Sequence, residues 1–264
     1  MNVLRSFRSE WLLLNRRRLW VGLGVTTVLF TAVATMLSLS NVRPAARTGG
    51  VGLVTESLHG SGGATAAVVF AVTFSAILVV AAFASSTGNE FARGTLRAAL
   101  TTQPNRWSLI TGKLAARVSV AAILMLSALL VGAVTARTFA PSRNIDTTGW
   151  LGTDALGDGI VDYGRLLAFI VVYALIATTI AVLVRSTPIA LGIGLLWFGP
   201  FENVVGDDRA WAQRWLPGLL LRSVLQPDAP TAIGTATALA TLGIYAVICA
   251  AVIAAVMSRR DITS

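Results

Sequence analysis

The chain has 264 residues, of which 55% are hydrophobic and only 12% charged, and its mean hydropathy is +0.74. A soluble domain carries about a quarter charged residues, so a water-facing globular fold is excluded. The composition predicts an all-α polytopic membrane protein, a single transmembrane domain over residues 1–264. Basic residues outnumber acidic ones by 21 to 12, a net charge of +9. No basic run is interleaved with stacking aromatics, so the excess marks cytoplasmic loops and not a nucleic-acid partner.

Residues 2–18 come first. Leu4, Phe7, Trp11 and Leu14 recur at helical spacing among Arg5, Arg8 and Arg16–Arg18. The pattern predicts an amphipathic helix lying in the membrane interface. A signal peptide is the rival reading, but the apolar run from Leu19 to Ser40 is longer than a signal core and continues past Ala32-Val33-Ala34. Six spans follow, at 19–40, 64–85, 114–136, 166–184, 188–205 and 233–257. A helix rising about 1.5 Å per residue needs roughly 20 residues to cross the hydrocarbon core. The fifth span is short and carries Gly192, Gly194, Gly199 and Pro200. It is expected to break near the proline, with part of 201–230 folding back as re-entrant or interfacial helices.

With both termini inside, thirteen basic residues fall on the inner side and eight on the outer. This bias predicts cytoplasmic termini. The outer segment 137–165 carries Asp146, Asp154, Asp158 and Asp162 at spacings foreign to a calcium loop, and reads as a solvated loop. The lone Cys249 and lone His59 have no partners for a disulfide or a metal site.

No phosphate loop, dinucleotide fingerprint, zinc-protease helix or catalytic triad is present. No Asp, Glu, Lys, Arg or His interrupts the first, second, fourth or sixth span. Arg117 sits near the inner end of the third, where it can snorkel, and Glu202 near the outer end of the fifth. Ion-driven carriers bury such groups at mid-membrane. A transporter without either device needs a partner to drive it, and no catalytic, cofactor or metal residue is assigned on this chain.

Ser86–Lys113 is the one long polar stretch that the charge bias puts inside. Residues 90–100 predict a short helix, with Phe91, Leu96 and Leu100 on an apolar edge and Arg93 and Arg97 sharing a face. Two readings stand on physics alone: a helix inserting into a groove on a soluble subunit, or an arginine-rich segment resting on anionic lipid.

The pattern Glu90…Gly94-Thr95-Leu96-Arg97…Leu100, then Pro104, Arg106 and Gly112-Lys113, resembles the first cytoplasmic loop of the ABC-2 type permeases, the membrane subunits of one class of ATP-binding-cassette exporters. The six-span layout and basic N-terminus extend the resemblance less specifically. Asn105 alone separates Pro104 from Arg106, a departure from the loosest form of the pattern.

The resemblance implies a coupling helix docked on a separate ATPase subunit present in two copies, which would bind the ATP and Mg. It also implies a second permease chain, identical or paralogous, outward transport, and residence in a bacterial plasma membrane. By carry-over the partner-binding positions are Glu90, Arg93, Gly94, Thr95, Arg97, Leu100, Pro104, Arg106 and Lys113. The related exporters also imply a cargo path partly lined by the first, second and fifth spans, with Thr27, Thr31, Phe70, Phe74, Trp197 and Phe198 as candidates for an apolar or amphipathic cargo. Gly24, Thr27, Thr31, Thr35 and Ser38 share one face of the first span, and small and hydroxylated residues at this spacing point to helix packing ahead of a cargo path. A membrane anchor that moves nothing and an ion-driven carrier or channel are the competing functions.

Overall fold

A backbone without water around it must bond to itself, and apolar runs of this length do so as helices. The computed structural model describes residues 3–42, 53, 55–73, 75–102, 105–206, 209–229 and 232–259. Every regular element among the described residues is helical. The amphipathic start forms α1 (Val3–Leu14), followed by α2 (Arg17–Ser40), α3 (Gly63–Thr73), α4 (Ala76–Ala92), the short α5 (Thr95–Thr102) and α6 (Arg106–Phe139). After two 3-10 turns come α7 (Thr153–Val184) and α8 (Thr187–Leu196). A π-helical turn (Trp197–Phe201), α9 (Glu202–Gly206), α10 (Ala210–Trp215), α11 (Pro217–Leu225) and α12 (Thr235–Arg259) complete the order.

Five helices are long and apolar enough to cross a membrane, and the bent pair α3–α4 supplies a sixth if counted as one span. The two members of that pair meet at 54°. At the bend the hydroxyls of Thr73 and Ser75 donate back to the carbonyls of Val69 and Val72, a bonding habit that bends helices.

The centre of the bundle is α7. Of its most apolar stretch 56% is buried, against 11% for α2 and for α12. Leu166, Phe169, Ile170, Tyr173, Ala174, Ala177 and Ala181 recur at spacings of three and four and are all buried, so one stripe of α7 meets α4, α12, α6 and α8. The outlying α2 and α12 leave apolar side chains such as Leu29, Val33, Ile244 and Val247 exposed, as lipid-facing helices do.

Four expectations change. Ser86–Lys113 is mostly helix: α4 runs on to Ala92, α6 starts at Arg106, and α5 lies between, so the helix expected over 90–100 is split by a turn at Arg93 and Gly94. The fifth span does not stop at Pro200, because the π-helical turn absorbs the proline, which has no N–H to contribute, and the helix continues to Gly206. Segment 137–165 is not a solvated loop. There α7 begins at Thr153, and Asp162, only 6% exposed, accepts from Thr65 at 2.5 Å and Arg165 at 2.8 Å, while Asp158 accepts from Ser61. Arg117 does not snorkel, since its charge is held inside the bundle by two carboxylates.

Candidate functional site

Three helices meet at the end of the bundle that carries α5. Gly94 turns the chain from α4 into α5 with φ +66°, a left-handed conformation that costs any L side chain about 1 kcal/mol or more. Arg93 and Gly94 close α4 by donating to Asn89 O and Phe91 O. Asn105 opens α6 by accepting from the Ser108 amide at 3.1 Å. Two caps thus hold the eight residues of α5 across the end of the bundle.

The apolar edge of α5 faces the chain's own bundle. Leu96 is buried with Leu109, Ile110, Val182, Ile253 and Met257, and Phe91, Ala99 and Leu100 pack against them. Arg93, Gly94, Thr95, Ala98 and Thr101 are exposed. Arg97 lies in α5, but its side chain is outside the described residues, as is Pro104. Arg106 reaches across to donate to Met257 O of α12 at 2.9 Å.

Glu90 and Lys113 are turned inward. Lys113 and Arg117, one turn apart on α6, form a four-charge cluster with Glu90 of α4 and Glu10 of α1. Glu10 accepts from Arg117 Nη2 at 2.7 Å and Lys113 Nζ at 3.0 Å. Glu90 Oε1 accepts from the same two groups at 2.5 and 2.7 Å. The four side chains are 7–15% exposed. Interleaving two carboxylates between two cations cancels the repulsion that Lys113 and Arg117 would otherwise feel on one helix face. Arg117 Nη1 also donates to Thr87 Oγ1 at 3.2 Å. Burial acts to raise the Glu10 pKa, but the Arg117 and Lys113 charges and hydrogen bonds outweigh it and hold the carboxyl below the usual range.

Gly112 explains how α1 gets this close. A β-carbon there would overlap Ser6 Cβ and stand 2.6 Å from Val3 O, so α1 crosses α6 over a missing side chain. Gly112→Leu is expected to cost about 2 kcal/mol of α1 docking, seen as roughly thirtyfold faster amide exchange over Val3–Leu14. Unchanged exchange there would show that the crossing does not depend on Gly112. The hairpin between α7 and α8 meets α4 from the other side. Arg185 lies over the Phe91 ring at 5.8 Å, and Thr187 donates to Asn89 at 3.2 Å over Gly88. The helices α1, α4, α6, α7, α8 and α12 therefore all reach α5 or its immediate supports.

The six cargo-path candidates fall in separate places. Thr27 and Thr31 line an apolar cleft of about 310 Å³ between α2, α3, α4 and α6. Thr31, Thr35 and Ser38 are buried, so that face also packs. Phe70 and Phe198 line a different cavity of about 130 Å³, and Trp197 is 40% exposed. Phe74 lies outside the described residues.

The smaller cavity holds Glu202, which is 3% exposed. Its carboxyl accepts from Trp197 Nε1 at 2.7 Å and from the backbone N–H groups of Gly218 and Leu219, the first turn of α11. A carboxylate on a helix N-terminus meets orphan donors and the positive end of the dipole. Gly218 makes room for it, since a β-carbon would overlap Glu202 Oε2. The far end of α11 is tied to the bend of α3–α4 by Gln226 donating to Thr73 at 3.0 Å, and Tyr245 of α12 donates to Trp215 O at 2.7 Å.

Sequence reasoning missed Glu10, Arg117 as an ion-pair partner, and the contact between Glu202 and α11. The available signal for Glu10 was that it is the one acid in a basic amphipathic helix. Among the described residues no group of three or more His, Cys, Asp or Glu is placed to hold a metal ion. No protein-family model matches the chain, and no curated protein matches it significantly in sequence.

Proposed function

We propose that the chain is the permease subunit of an ABC-2 type exporter, driven through α5 by a separate ATP-hydrolysing subunit. The observation that carries this reading is the exposed surface made by Arg93 at the end of α4 and by Thr95, Ala98 and Thr101 of α5, a short helix held from beneath by most of the bundle. A push on that face has stiff paths into the membrane: through the four-charge cluster to α1 and α6, through Arg185 and Thr187 to the hairpin of α7 and α8, and through Arg106 to α12. The partner surface in this reading is Arg93, Gly94, Thr95 and Arg97 together with the exposed Trp107. Glu90 and Lys113 act as internal links that pass the movement on, and Leu96 and Leu100 seat α5 against the bundle.

The finer architecture belongs to the same proposal. The pair α3–α4 is one bent span, making six, α1 lies at the cytoplasmic interface, α10 and α11 are re-entrant, and both termini are cytoplasmic in a bacterial plasma membrane. Two such chains and two ATPase chains, the latter holding ATP and Mg, would move an amphipathic or apolar cargo outward.

The test is charge reversal at Arg93 and Arg97. Arg93→Glu with Arg97→Glu is expected to lower cargo-stimulated ATPase activity of the assembled complex at least tenfold while the chain still inserts. Normal stimulation in that variant would contradict coupling through α5. A partner ATPase that ignores every cargo even with the wild-type chain would favour a non-transporting anchor.

A further inference from the structure

The 310 Å³ cleft is walled by α2 on one side and by α3, α4 and α6 on the others, and nothing among the described residues fills it. Its lining is almost wholly apolar. Leu23, Phe30 and Leu78 form the rim, at 39%, 45% and 58% exposure, so the cleft opens to the outside of the bundle and not to a central passage. The hydroxyl of Ser75 on its wall is already spent on Val72 O. In water such a surface would be a liability. At the depth of the spans, the solvent that reaches it is hydrocarbon.

The charge at one end selects among apolar occupants. Leu23, Thr27, Phe30 and Ala34 line the cleft along one face of α2, and the same face traced toward the N-terminus arrives at Arg16. From Leu23 to Arg16 is roughly 10 Å along the axis, so one lipid lying along this face can meet both. Arg16, Arg17 and Arg18 are exposed and make no ion pair among the described residues. An apolar trough whose face leads on to Arg16, with Arg17 and Arg18 at about 100° steps around the same helix end, is complementary to a molecule that is hydrocarbon along its length and anionic at one end.

We infer that the cleft between α2, α3, α4 and α6 binds one acyl chain of an anionic phospholipid from the leaflet on the Arg16–Arg18 side, with its phosphate at the level of Arg16 and in the field of Arg17 and Arg18. The inference requires only that the chain spans a bilayer. It holds whether or not α5 docks an ATPase, and the bound lipid is a resident of this chain, separate from any cargo between two chains.

The experiment uses the purified full-length chain in nanodiscs of equal parts phosphatidylglycerol and phosphatidylcholine with matched acyl chains. Lipids retained after release are then counted by native mass spectrometry. The wild type is expected to retain one lipid, phosphatidylglycerol over phosphatidylcholine by roughly tenfold or more. Ala82→Phe, which fills the cleft, is expected to lose it, while Val134→Phe, on the exposed face of α6, keeps it. Arg16→Gln with Arg17→Gln and Arg18→Gln is expected to retain one lipid without the headgroup preference.

If Ala82→Phe does not fold, Ala82→Cys alkylated after purification fills the cleft in folded protein and must likewise expel the lipid. Retention of phosphatidylglycerol by the blocked protein, or an unchanged preference in the arginine variant, overturns the inference. So does self-association, in place of lipid loss, as the property that Ala82→Phe alters, because the cleft would then seat a second copy.

Discussion

Glu10→Gln is expected to release the N-terminal helix from the bundle. The substitution leaves Glu90 alone against Lys113 and Arg117, a net positive charge in a site whose side chains are 7–15% exposed. Removing one member of a fully buried ion pair costs about 3–5 kcal/mol. With the residual solvent access of this cluster, about 2 kcal/mol is the expected loss. It would appear as accelerated amide exchange and protease cleavage within Val3–Leu14, with the spans unaffected. Restoring neutrality is the control. Glu10→Gln combined with Lys113→Gln should recover about half the loss, a coupling that separates charge imbalance from lost packing.

Acid should act in the same direction as the substitution. The Glu10 carboxyl is held below its ordinary value near 4.5. Its contribution to docking is therefore full above that ordinary value and is lost as the pH falls below it, through the folded-state pKa. Helix α1 should stay docked at neutral pH and loosen in acid, and the Glu10→Gln variant should show little of this acid dependence.

Glu202→Leu is expected to have the largest effect on the bundle itself. It strands three donors, the Trp197 indole and the amides of Gly218 and Leu219, in a site that is 3% exposed. At about 1–3 kcal/mol for each unsatisfied buried group, the loss should be at least about 3 kcal/mol, read as a lowered Tm of the detergent-solubilised protein. Glu202→Gln keeps one acceptor and should lose less. Gly218→Ala attacks the same contact from the other side, because its methyl group takes the space of the carboxyl. The double variant Glu202→Leu with Gly218→Ala should then be barely worse than Glu202→Leu alone. Additive losses would mean that the two residues act separately, and that α11 is not capped by Glu202.

Legibility in the sequence followed the range of the physics involved. The long apolar stretches were visible because hydropathy is a local property, and α2, α6, α7 and α12 lie where the runs at 19–40, 114–136, 166–184 and 233–257 place them. Their ends were not visible. At roughly 50 Å α6 is longer than the hydrocarbon core, and its first two turns read as polar loop because Lys113 meets its counter-charges only in three dimensions.

Glu10 and Arg117 are 107 positions apart, and no pattern in the chain announces that pairing. Pro200 carried a correct warning of irregular backbone, but periodicity cannot distinguish a break from a π-helical turn. Gly94 and Gly112 were legible only as parts of a motif, and the helix expected over 90–100 hid the turn that Gly94 makes with φ +66°. The reason for Gly112, an approach by α1, lies in another helix. The split between Thr27 and Thr31 in one cavity and Phe70 and Phe198 in another follows the two faces of α3, with Val68, Ala71 and Val72 on the first and Phe70 and Thr73 on the second, a division for which hydropathy gives no signal.

The proposed coupling rests on the outer face of α5 being a cytoplasmic contact with an ATPase. A photo-crosslinking residue in place of Ala98, activated in native membranes, addresses it most directly. The expected product is an adduct between this chain and a soluble polypeptide whose sequence, read from the crosslinked species, contains a phosphate-binding loop, with yield lowered by Arg93→Glu. An impermeant reagent labelling position 98 from outside the cell, or a crosslinked partner without a nucleotide-binding loop, would contradict the mechanism.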